Sequence, residues 1–314
     1  MSESKAVVVN GFGGANELTM TTVDRPSAGP SELVVATAGA GLNPVDWKTR
    51  AGGGISGMVP GFPFVLGWDV SGTVAEVGPG VVDFAVGDPV YGMANFPLPA
   101  GAYAEHVLAP AVHFAKAPTG IGLVEAGAVP LAALTAWQAL FDFGRIEAGT
   151  RVLVHAAAGG VGHFAVQLAA WAGAEVVGTA SARNHEWLRG LGCSEVVDYT
   201  AGDFAEKTGE VDLVVDGVGG EVFDRSLDVL RPGGAIVTLP SPGDFGPARE
   251  RGFRADWVFV HPDRHQLERI AALIDEGRVA PHIERVFAFD EVADAHRLGE
   301  QGHVRGKLLL DLTR

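Results

Sequence analysis

The feature that most constrains the fold of this chain is the segment RVLVHAAAGGVGHFAVQLAAWAGAEVVGTASAR, residues 151–183, which holds five glycines and ten alanines. It begins with a valine-rich run typical of a buried strand, passes through a short turn and continues as a helix-length stretch of small residues. Ala157, Gly159 and Gly162 occupy the three small-residue positions of a dinucleotide-binding fingerprint. Because the N–H groups at a helix N-terminus can bind phosphate, the segment predicts a dinucleotide-binding unit, with a plain tight turn as the alternative.

Strand-like runs alternate with helix-length stretches through this part of the chain. The runs are RVLVHA, EVVGTA, EVVDY, VDLVVDG, GAIVTLP and DWVFVH. Such nearly continuous apolar strands are typical of a parallel sheet covered by helices on both faces. We therefore expect an α/β fold with a doubly wound Rossmann domain at residues 124–262.

The two ends of the chain have a different pattern. Residues before about 120 contain short valine-rich runs separated by glycine, proline and aspartate, which indicate strands joined by tight turns. After residue 262, a helix-like stretch leads into the β-like runs HIERVFAF and KLLLDL. We expect residues 1–123 and 263–314 to form one β-rich domain.

The residues after the second predicted strand indicate which nicotinamide cofactor binds. An NAD site usually has an acid about 20 residues beyond the fingerprint, whereas an NADP site has hydroxyl and cationic groups there. The segment GTASARN contains Ser181 and Arg183 and no acid, and Tyr199 follows the third strand. We expect NADP(H), although Arg183 also fits a solvated first turn of the next helix.

Charge and composition disfavour several classes of partner. The chain has 23 Lys and Arg against 38 Asp and Glu, a formal net charge of -15, which argues against nucleic acid and anionic membranes. The single cysteine, Cys193, excludes an intramolecular disulfide and a multi-thiolate zinc site, and it stands in an apparent surface turn. The N-terminal residues do not resemble a secretion signal. We expect a cytoplasmic protein that acts on a small molecule.

Motifs along the whole chain resemble those of a known family. They are AGLNPVDWKTRAG (40–52), VLGWDVSGTVAEVGPGV (65–81), GDPVYGM (87–93), GAYAEHV (101–107), AAGGVGHFAVQLA (157–169), LRGLGCSEVVDYT (188–200) and GHVRGKLLL (302–310). By these motifs the chain is identified as a member of the medium-chain dehydrogenase/reductases, in the zinc-independent quinone oxidoreductase (zeta-crystallin-like) branch. The resemblance implies a GroES-like catalytic domain built from both termini, a Rossmann domain between them, an active site in the cleft where they meet, NADPH as cofactor and a homodimer.

The resemblance also assigns residues to parts of the cofactor. At the 2′-phosphate it implies Ser181, Arg183 and Tyr199, and in the pyrophosphate-binding turn Ala158, Gly159, Gly160, Val161 and Gly162. At the nicotinamide end it implies Asn43, Asp46 and Thr135. The remaining surroundings are expected from Gly217, Val218, Leu239, Phe259 and Lys307.

The resemblance also bears on metal chemistry. Zinc-dependent relatives have Cys in the NPVD position and His-Glu in the GWD position, where this chain has Asn43, Trp68 and Asp69. These residues do not make a plausible catalytic zinc site, so we expect no metal. The simplest remaining reaction is hydride transfer from NADPH to a quinone or to the β-carbon of an enone.

An oxyanion that develops in such a reaction gains from a hydrogen-bond donor. Asn43 and Thr135 are the first candidates, followed by Lys48 and Arg50, whereas Asp46 fits a bracing role better than proton transfer. The alternatives are that Asn43 shapes a turn and that Thr135 is an ordinary helix hydroxyl.

Two other functions stay open at this stage. The first is an enoyl reductase acting on a thioester or a polyketide-like intermediate, with the same fold and hydride step. The second is an NADPH-binding protein without turnover, because the loop RAGGGISG lacks a tyrosine that many quinone reductases carry there. Trp47 and Trp68 either line an aromatic substrate pocket or belong to the core.

Overall fold

The structure, a computed structural model, describes residues 3–314. The strands are β1 (Glu3–Val9), β2 (Leu18–Asp24), β3 (Glu32–Leu42), β4 (Phe64–Val65), β5 (Asp69–Val77), β6 (Pro89–Met93), β7 (His106–Pro110), β8 (Phe114–Lys116), β9 (Arg151–Val154), β10 (Glu175–Thr179), β11 (Glu195–Val197), β12 (Val211–Asp216), β13 (Leu230–Thr238), β14 (Arg254–Trp257), β15 (Ile283–Ala288) and β16 (Lys307–Asp311). The helices are α1 (Pro44–Arg50), α2 (Leu123–Ala126), α3 (Pro130–Trp137), α4 (Gly162–Trp171), α5 (His185–Leu191), α6 (Phe204–Thr208), α7 (Glu221–Ser226), α8 (Gly246–Glu250), α9 (Arg264–Asp275) and α10 (Val292–Glu300).

The chain divides into two compact units. The first contains the residues up to Leu134 together with His261–Arg314, and the second is Thr135–Val260. Residues 124–134 and 261–262, which we expected in the Rossmann domain, belong to the first unit. For the longer segment the reason is that α2 packs on β3 and β5.

The second unit is built on a parallel sheet with the strand order β11-β10-β9-β12-β13-β14. From the central strand β9 the chain moves outward to β10 and β11, and then returns to the other side of β9 for β12 to β14. This is the doubly wound arrangement, which confirms the predicted fold class. Strand β14 ends at Trp257, earlier than the predicted run DWVFVH, so Phe259 lies beyond the strand.

The interior of the second unit explains why its strands form. Valine, leucine and isoleucine side chains of successive strands pack with helix residues in one buried cluster that includes Leu153, Val177, Val214, Ile236 and Phe223. Strands covered on both faces require apolar residues at almost every position, which is the pattern of the sequence.

The first unit contains a larger sheet with the order β15-β16-β3-β5-β6-β8, with β7 also paired to β3, and a smaller sheet with the order β2-β1-β4. The C-terminal strand β16 runs antiparallel to β3, with Leu308 opposite Leu42. Helix α9 covers β8 and buries Leu267, Ile270 and Ile274 on one face. The expectation that the C-terminal segment returns to the β-rich, GroES-like domain is therefore confirmed.

Among residues 3–314, no helix has both the length and the apolar character that a membrane crossing requires.

Candidate functional site

The turn between β9 and α4 brings a helix N-terminus close to the sheet. A Cβ atom at Gly162, the first residue of α4, would lie 2.3 Å from the carbonyl oxygen of Ala156. Ala156 has a φ of 49°, a conformation that costs free energy for a residue with a Cβ atom. A larger residue at position 162 would force the helix away from the turn, so close helix–strand packing explains this glycine of the fingerprint.

The N–H groups of this turn are suited to bind an anion. The N–H of His163 donates to Gly159 O over 3.1 Å and that of Phe164 to Val161 O over 3.1 Å. The preceding N–H groups, at Gly160 to Gly162, are of the kind that a helix start leaves without an intrahelical acceptor. Gly159 to Val161 are half-buried, so the turn borders solvent. These residues fit the pyrophosphate of a dinucleotide.

The other residues predicted to bind the cofactor follow the neighbouring strands. Ser181 comes after β10, Gly217 and Val218 after β12, Leu239 after β13 and Phe259 after β14. Because all these strands are parallel, their carboxyl ends lie at one edge of the sheet, next to the switch point where such folds bind ligands.

The groups expected at a 2′-phosphate are accessible to solvent. Ser181 is half-buried at the start of a 3-10 turn, Arg183 is exposed within that turn, and Tyr199 is 48% exposed beyond β11. Their position beyond adjacent strands β10 and β11 is compatible with one phosphate site.

Asp216 is a residue of this edge that the sequence reasoning missed. Its buried carboxylate accepts hydrogen bonds from the N–H groups of Val218 and Gly219, each over 2.9 Å at Oδ1, and from the hydroxyl of Thr238 over 3.0 Å at Oδ2. Asp216 therefore holds the loop after β12. The local signal was an aspartate at the end of a strand directly before the glycines GVGG.

His155, at the end of β9, was also missed. Its Nδ1 lies 3.0 Å from the hydroxyl of Thr179 and its Nε2 lies 2.9 Å from that of Ser226. Burial lowers the pKa of His155 to about 4, although the charge of Asp216 opposes the change. A neutral His155 thus connects β9, β10 and α7 beneath the predicted cofactor edge.

In the first unit, Asn43 is the N-cap residue directly before α1, and its side chain makes no capping hydrogen bond to the described residues of the helix. Its Oδ1 accepts a hydrogen bond from the ammonium of Lys307, and its Nδ2 donates to Oδ2 of Asp69 over 2.9 Å. A longer contact of 3.5 Å joins Nδ2 to the carbonyl of Gly41. The amide is therefore held between a cation and a carboxylate.

Lys307 and Asp69 are buried together. The Lys307 Nζ atom donates to Leu42 O over 2.9 Å and lies 3.6 Å from Oδ2 of Asp69. Burial lowers the pKa of Lys307 and raises that of Asp69, while the attraction between the two charges opposes both changes. Oδ1 of Asp69 also accepts the N–H of Leu131 over 2.6 Å, which ties the start of α3 to this cluster.

Asp46 lies one turn into α1 and is fully buried. Its Oδ2 accepts the N–H of Asn43 over 2.6 Å and the hydroxyl of Tyr103 over 2.9 Å. Its Oδ1 is a buried oxygen with no hydrogen-bond partner among the described residues. Burial raises the pKa of Asp46 to about 7, against the hydrogen bonds from Asn43 and Tyr103 that lower it.

A chain of hydrogen bonds joins Asp46 to Arg50 through two other buried side chains of the first unit. The guanidinium of Arg50 lies 3.0 Å from Nδ1 of His296, and Nε2 of His296 lies 3.2 Å from the hydroxyl of Tyr103. Because Arg50 can only donate, Nδ1 accepts and Nε2 carries the proton, which leaves the Tyr103 hydroxyl to donate to Asp46. Burial lowers the pKa of His296 to about 3, so the ring is neutral.

The other residues considered as hydrogen-bond donors to the substrate have different surroundings from those expected. Arg50, considered as a donor to substrate, is 1% exposed and binds His296, Glu300 and the carbonyl of Gly13. Its guanidinium is thus occupied by interactions inside the first unit. Lys48 is exposed, and Thr135 is buried on α3, in the second unit.

The two tryptophans differ in their surroundings. Trp68 is buried and donates from Nε1 to the carbonyl of Leu98 over 2.8 Å, which makes it a core residue. Trp47 is half-buried and packs on α10, where a Cβ atom at Gly299 would lie 2.7 Å from its ring.

Cys193 is buried, which corrects the expectation of a surface turn. Its Sγ atom would lie 3.0 Å from a Cβ atom at Gly178 on β10. Burial raises the pKa of the thiol to about 12, so the cysteine is a packing residue and not a nucleophile.

The residues at the positions of the zinc ligands do not fit zinc. Asn43 and Asp69 bind the ammonium of Lys307, whose positive charge would repel a metal ion placed between them. Among residues 3–314 there is also no group of three or more His, Cys, Asp or Glu side chains arranged to hold a metal.

Comparisons with known proteins agree with the fold. The family described as alcohol dehydrogenase GroES-like domain matches residues 29–119, and the family described as zinc-binding dehydrogenase matches residues 191–310. The NAD(P)H oxidoreductase RTN4IP1, mitochondrial, of Danio rerio is 33% identical over 90% of this chain and 84% of its own length. The polyketide synthase GfsB of Streptomyces halstedii is 38% identical over 81% of this chain, a match that covers 5% of that protein.

A solved structure is similar over the full length. The quinone oxidoreductase from Coxiella burnetii has a TM-score of 0.95 and 36% identity, covering 99% of this chain and 100% of that chain.

Together with these relatives, a doubly wound sheet with a small-residue turn at its switch point and a GroES-like unit in one chain identify a nicotinamide-dependent oxidoreductase. The chain belongs to the medium-chain dehydrogenase/reductase superfamily, among the members similar to zinc-independent quinone oxidoreductases. The name of the family that matches residues 191–310 includes zinc, but the residues at the ligand positions of this chain do not fit that metal.

Proposed function

We propose that this protein is a zinc-independent, NADPH-dependent reductase that transfers hydride to a quinone or to an α,β-unsaturated carbonyl compound. The observation that carries the proposal is the carboxyl edge of the sheet in the second unit. There, the small-residue turn, the Ser181–Arg183 segment and the loop held by Asp216 follow neighbouring parallel strands.

Each part of this edge has a role towards the cofactor. The N–H groups of Gly160 to Gly162 would bind the pyrophosphate, and Ser181 and Arg183, with Tyr199, would bind the 2′-phosphate. When bound, NADPH supplies the hydride. The absence of an acid in GTASARN supports NADPH over NADH, because a carboxylate there would repel a 2′-phosphate.

The residues of the first unit support acceptance of hydride by a conjugated carbonyl compound. Reduction of an enone or a quinone places negative charge on an oxygen, which a donor stabilises without a metal. Asn43, which is 2% exposed, is a candidate donor because only one hydrogen of Nδ2 makes a short bond, to Asp69. The other makes a long contact of 3.5 Å with Gly41 O, which an oxyanion can replace as acceptor. Thr135, which belongs to the second unit, is the other candidate donor.

A second candidate function is reduction of an enoyl thioester. The similarity to a segment of the polyketide synthase GfsB favours it, because a polyketide-like intermediate is one of the substrates that the sequence left open. The hydride step and the cofactor site are the same, so the two candidates differ in the substrate.

The test is the loss of absorbance of reduced nicotinamide, with NADPH and NADH in parallel, against a simple quinone, an enone and an enoyl thioester. Turnover with NADPH and the quinone or the enone is the expected result. Turnover with the thioester alone would select the second candidate, and turnover with NADH alone would contradict the cofactor assignment. Tight NADPH binding without reduction of any acceptor would favour a binding protein.

The cytoplasmic location and the homodimer that we expected are also part of this proposal. The resemblance to the family supports the dimer, and the single buried thiol suits a reducing compartment. Cell fractionation and sedimentation equilibrium measure the two properties directly.

A further inference from the structure

The register between β16 and β3 places Lys307 beside Asn43. Leu308 pairs with Leu42, so the residues just beyond this pair, Lys307 and Asn43, lie next to each other at the end of both strands. The chain enters β16 through Gly306, which has a φ of 65° and whose Cβ atom would lie 2.2 Å from His282 O. A glycine is therefore required for Lys307 to point its side chain along this path.

The side chain of Asn43 contacts Lys307 and does not form the usual N-cap hydrogen bond with the described residues of α1. Asparagine is a favoured residue at the start of a helix because its side-chain oxygen accepts an N–H of the first turn. Here the N–H of Asp46 donates to the backbone carbonyl of Asn43 over 2.9 Å, while Oδ1 accepts from the Lys307 ammonium. The backbone N–H of Asn43 donates to the carboxylate of Asp46. The direction of the amide is thus determined by residues outside the helix.

The two charged neighbours exclude the flipped amide. If Oδ1 and Nδ2 exchanged places, the oxygen would face the carboxylate of Asp69 and the NH2 group would face the ammonium of Lys307. Both contacts would be repulsive, because neither a carboxylate and a carbonyl oxygen nor two donors can form a hydrogen bond. The net stability from a buried ion pair is small, so a role in orientation accounts better for this costly arrangement.

We propose that Lys307 is a positioning residue that, together with Asp69, fixes the orientation of the Asn43 amide, so that the N–H with only the long contact to Gly41 O is the one that can turn to the oxygen of the substrate carbonyl. The buried ammonium contacts both Asn43 and Asp69 and supplies positive charge beside the amide. The inference rests on the proposed function for the reaction it assists, but the orientation of the amide can be measured without turnover.

The kinetic test is a double-mutant cycle with Lys307→Met and Asn43→Ala. If Lys307 acts through Asn43, Lys307→Met lowers kcat for the enone by about 10- to 100-fold, with a much smaller change in the KM for NADPH. In the Asn43→Ala background, Lys307→Met causes no further loss beyond about twofold. Equal losses in both backgrounds would overturn the inference. Lys116→Met, at an exposed lysine paired with Asp88, is the control and leaves kcat unchanged.

Two further variants address charge and folding. Lys307→Gln keeps a donor but no charge, and it restores part of the activity lost in Lys307→Met. Because Lys307→Met leaves Asp69 buried without its cation, the variant can fail to fold, and the pair Lys307→Met with Asp69→Asn then removes both charges together. This pair loses activity as Lys307→Met does, and full activity of the folded pair would contradict the proposal.

The orientation is measured by the side-chain NH2 signals of Asn43 in a ¹⁵N–¹H spectrum, assigned by their disappearance in Asn43→Ala. In the wild type the hydrogen bonded to Asp69 gives a downfield signal that exchanges slowly with solvent. We expect both properties to change in the Lys307→Met and Asp69→Asn pair and, where it folds, in Lys307→Met, and to be partly retained in Lys307→Gln, whose amide still donates. Unchanged signals in the pair and in Lys307→Met would overturn the inference. Changed signals in a protein that reduces no acceptor would leave the positioning role intact and reject the proposed function.

Discussion

The hydroxyl of Tyr103 donates a hydrogen bond to Oδ2 of Asp46 over 2.9 Å, and both side chains are buried in the first unit. The same hydroxyl accepts from His296, whose other nitrogen accepts from Arg50. These bonds all point towards Asp46 and favour its ionised form, whereas burial favours the protonated form more strongly. The balance places a titrating carboxyl next to Asn43.

Asp46 makes the stability of the protein dependent on pH. Its pKa is about 7 in the folded state against an ordinary value of 3.8, so the folded chain retains a proton that the unfolded chain releases. The retained proton stabilises the folded state fully below about pH 4. This contribution to the unfolding free energy, about 4 kcal/mol, is lost as the pH rises to about 7. The change Asp46→Asn removes this dependence. As the pH increases from 4 to 8, the unfolding free energy of the variant therefore rises relative to that of the wild type.

Urea unfolding of the wild type and of Asp46→Asn at several pH values measures this difference. The comparison of the two proteins is needed because His155 and His296, with pKa values of about 4 and about 3, also make stability depend on pH. These histidines lower the unfolding free energy as the pH falls below 6.5, opposite to the effect of Asp46, and their contribution is common to both proteins. The exposed Asp290→Asn serves as the control. A difference that does not vary with pH would show that Asp46 is ionised throughout.

The two glycines Gly162 and Gly190 are expected to respond to alanine in opposite ways. At Gly162 the new Cβ atom would lie 2.3 Å from Ala156 O, so Gly162→Ala destabilises the protein by about 1–3 kcal/mol and weakens NADPH binding. At Gly190, inside α5, a Cβ atom meets nothing within 4 Å, so Gly190→Ala stabilises by about 0.5–1 kcal/mol. Thermal or urea unfolding tests both, and equal effects would contradict the packing argument.

The loop after β12 is expected to depend on the Asp216 carboxylate. Asp216→Asn removes the negative charge and replaces one acceptor oxygen with an NH2 group, which weakens the bonds from the N–H groups of Val218 and Gly219, and we expect about tenfold weaker NADPH binding. Asp212→Asn is the matched control, because Asp212 lies on the same strand but contacts Arg151 and Arg231 instead. NADPH fluorescence titrations give both affinities, and equal effects of the two changes would reject a specific role of the loop.

Selectivity for NADPH is expected to lie in Ser181 and Arg183. Arg183→Ala removes a cation from the 2′-phosphate and weakens NADPH binding by about 10- to 100-fold, while NADH binding changes little. Ser181→Ala has a smaller effect in the same direction. Arg189→Ala, at an exposed arginine on α5, is the control. If Arg183→Ala weakened NADH and NADPH equally, the 2′-phosphate would not be the group it binds.

The prediction from sequence succeeded where neighbouring residues determine structure. The strand–turn–helix at 151–171, the alternation of strands and helices and the return of the C-terminal strands all depend on local periodicity and on small residues at turns. It was less successful with side chains whose partners are distant. Arg50 resembled a free donor in the sequence, yet its guanidinium binds His296, which is 246 residues away.

By itself, the sequence determined the doubly wound sheet, the small-residue turn and the set of residues at the strand ends, because each depends on short-range backbone preferences and apolar patterning. The tertiary structure alone decided that Lys307 meets Asn43 across 264 residues, that Asp46 titrates near neutrality and that Cys193 is inert. These properties arise from strand register and from the removal of water around polar groups. Both exist only after distant parts of the chain have packed together.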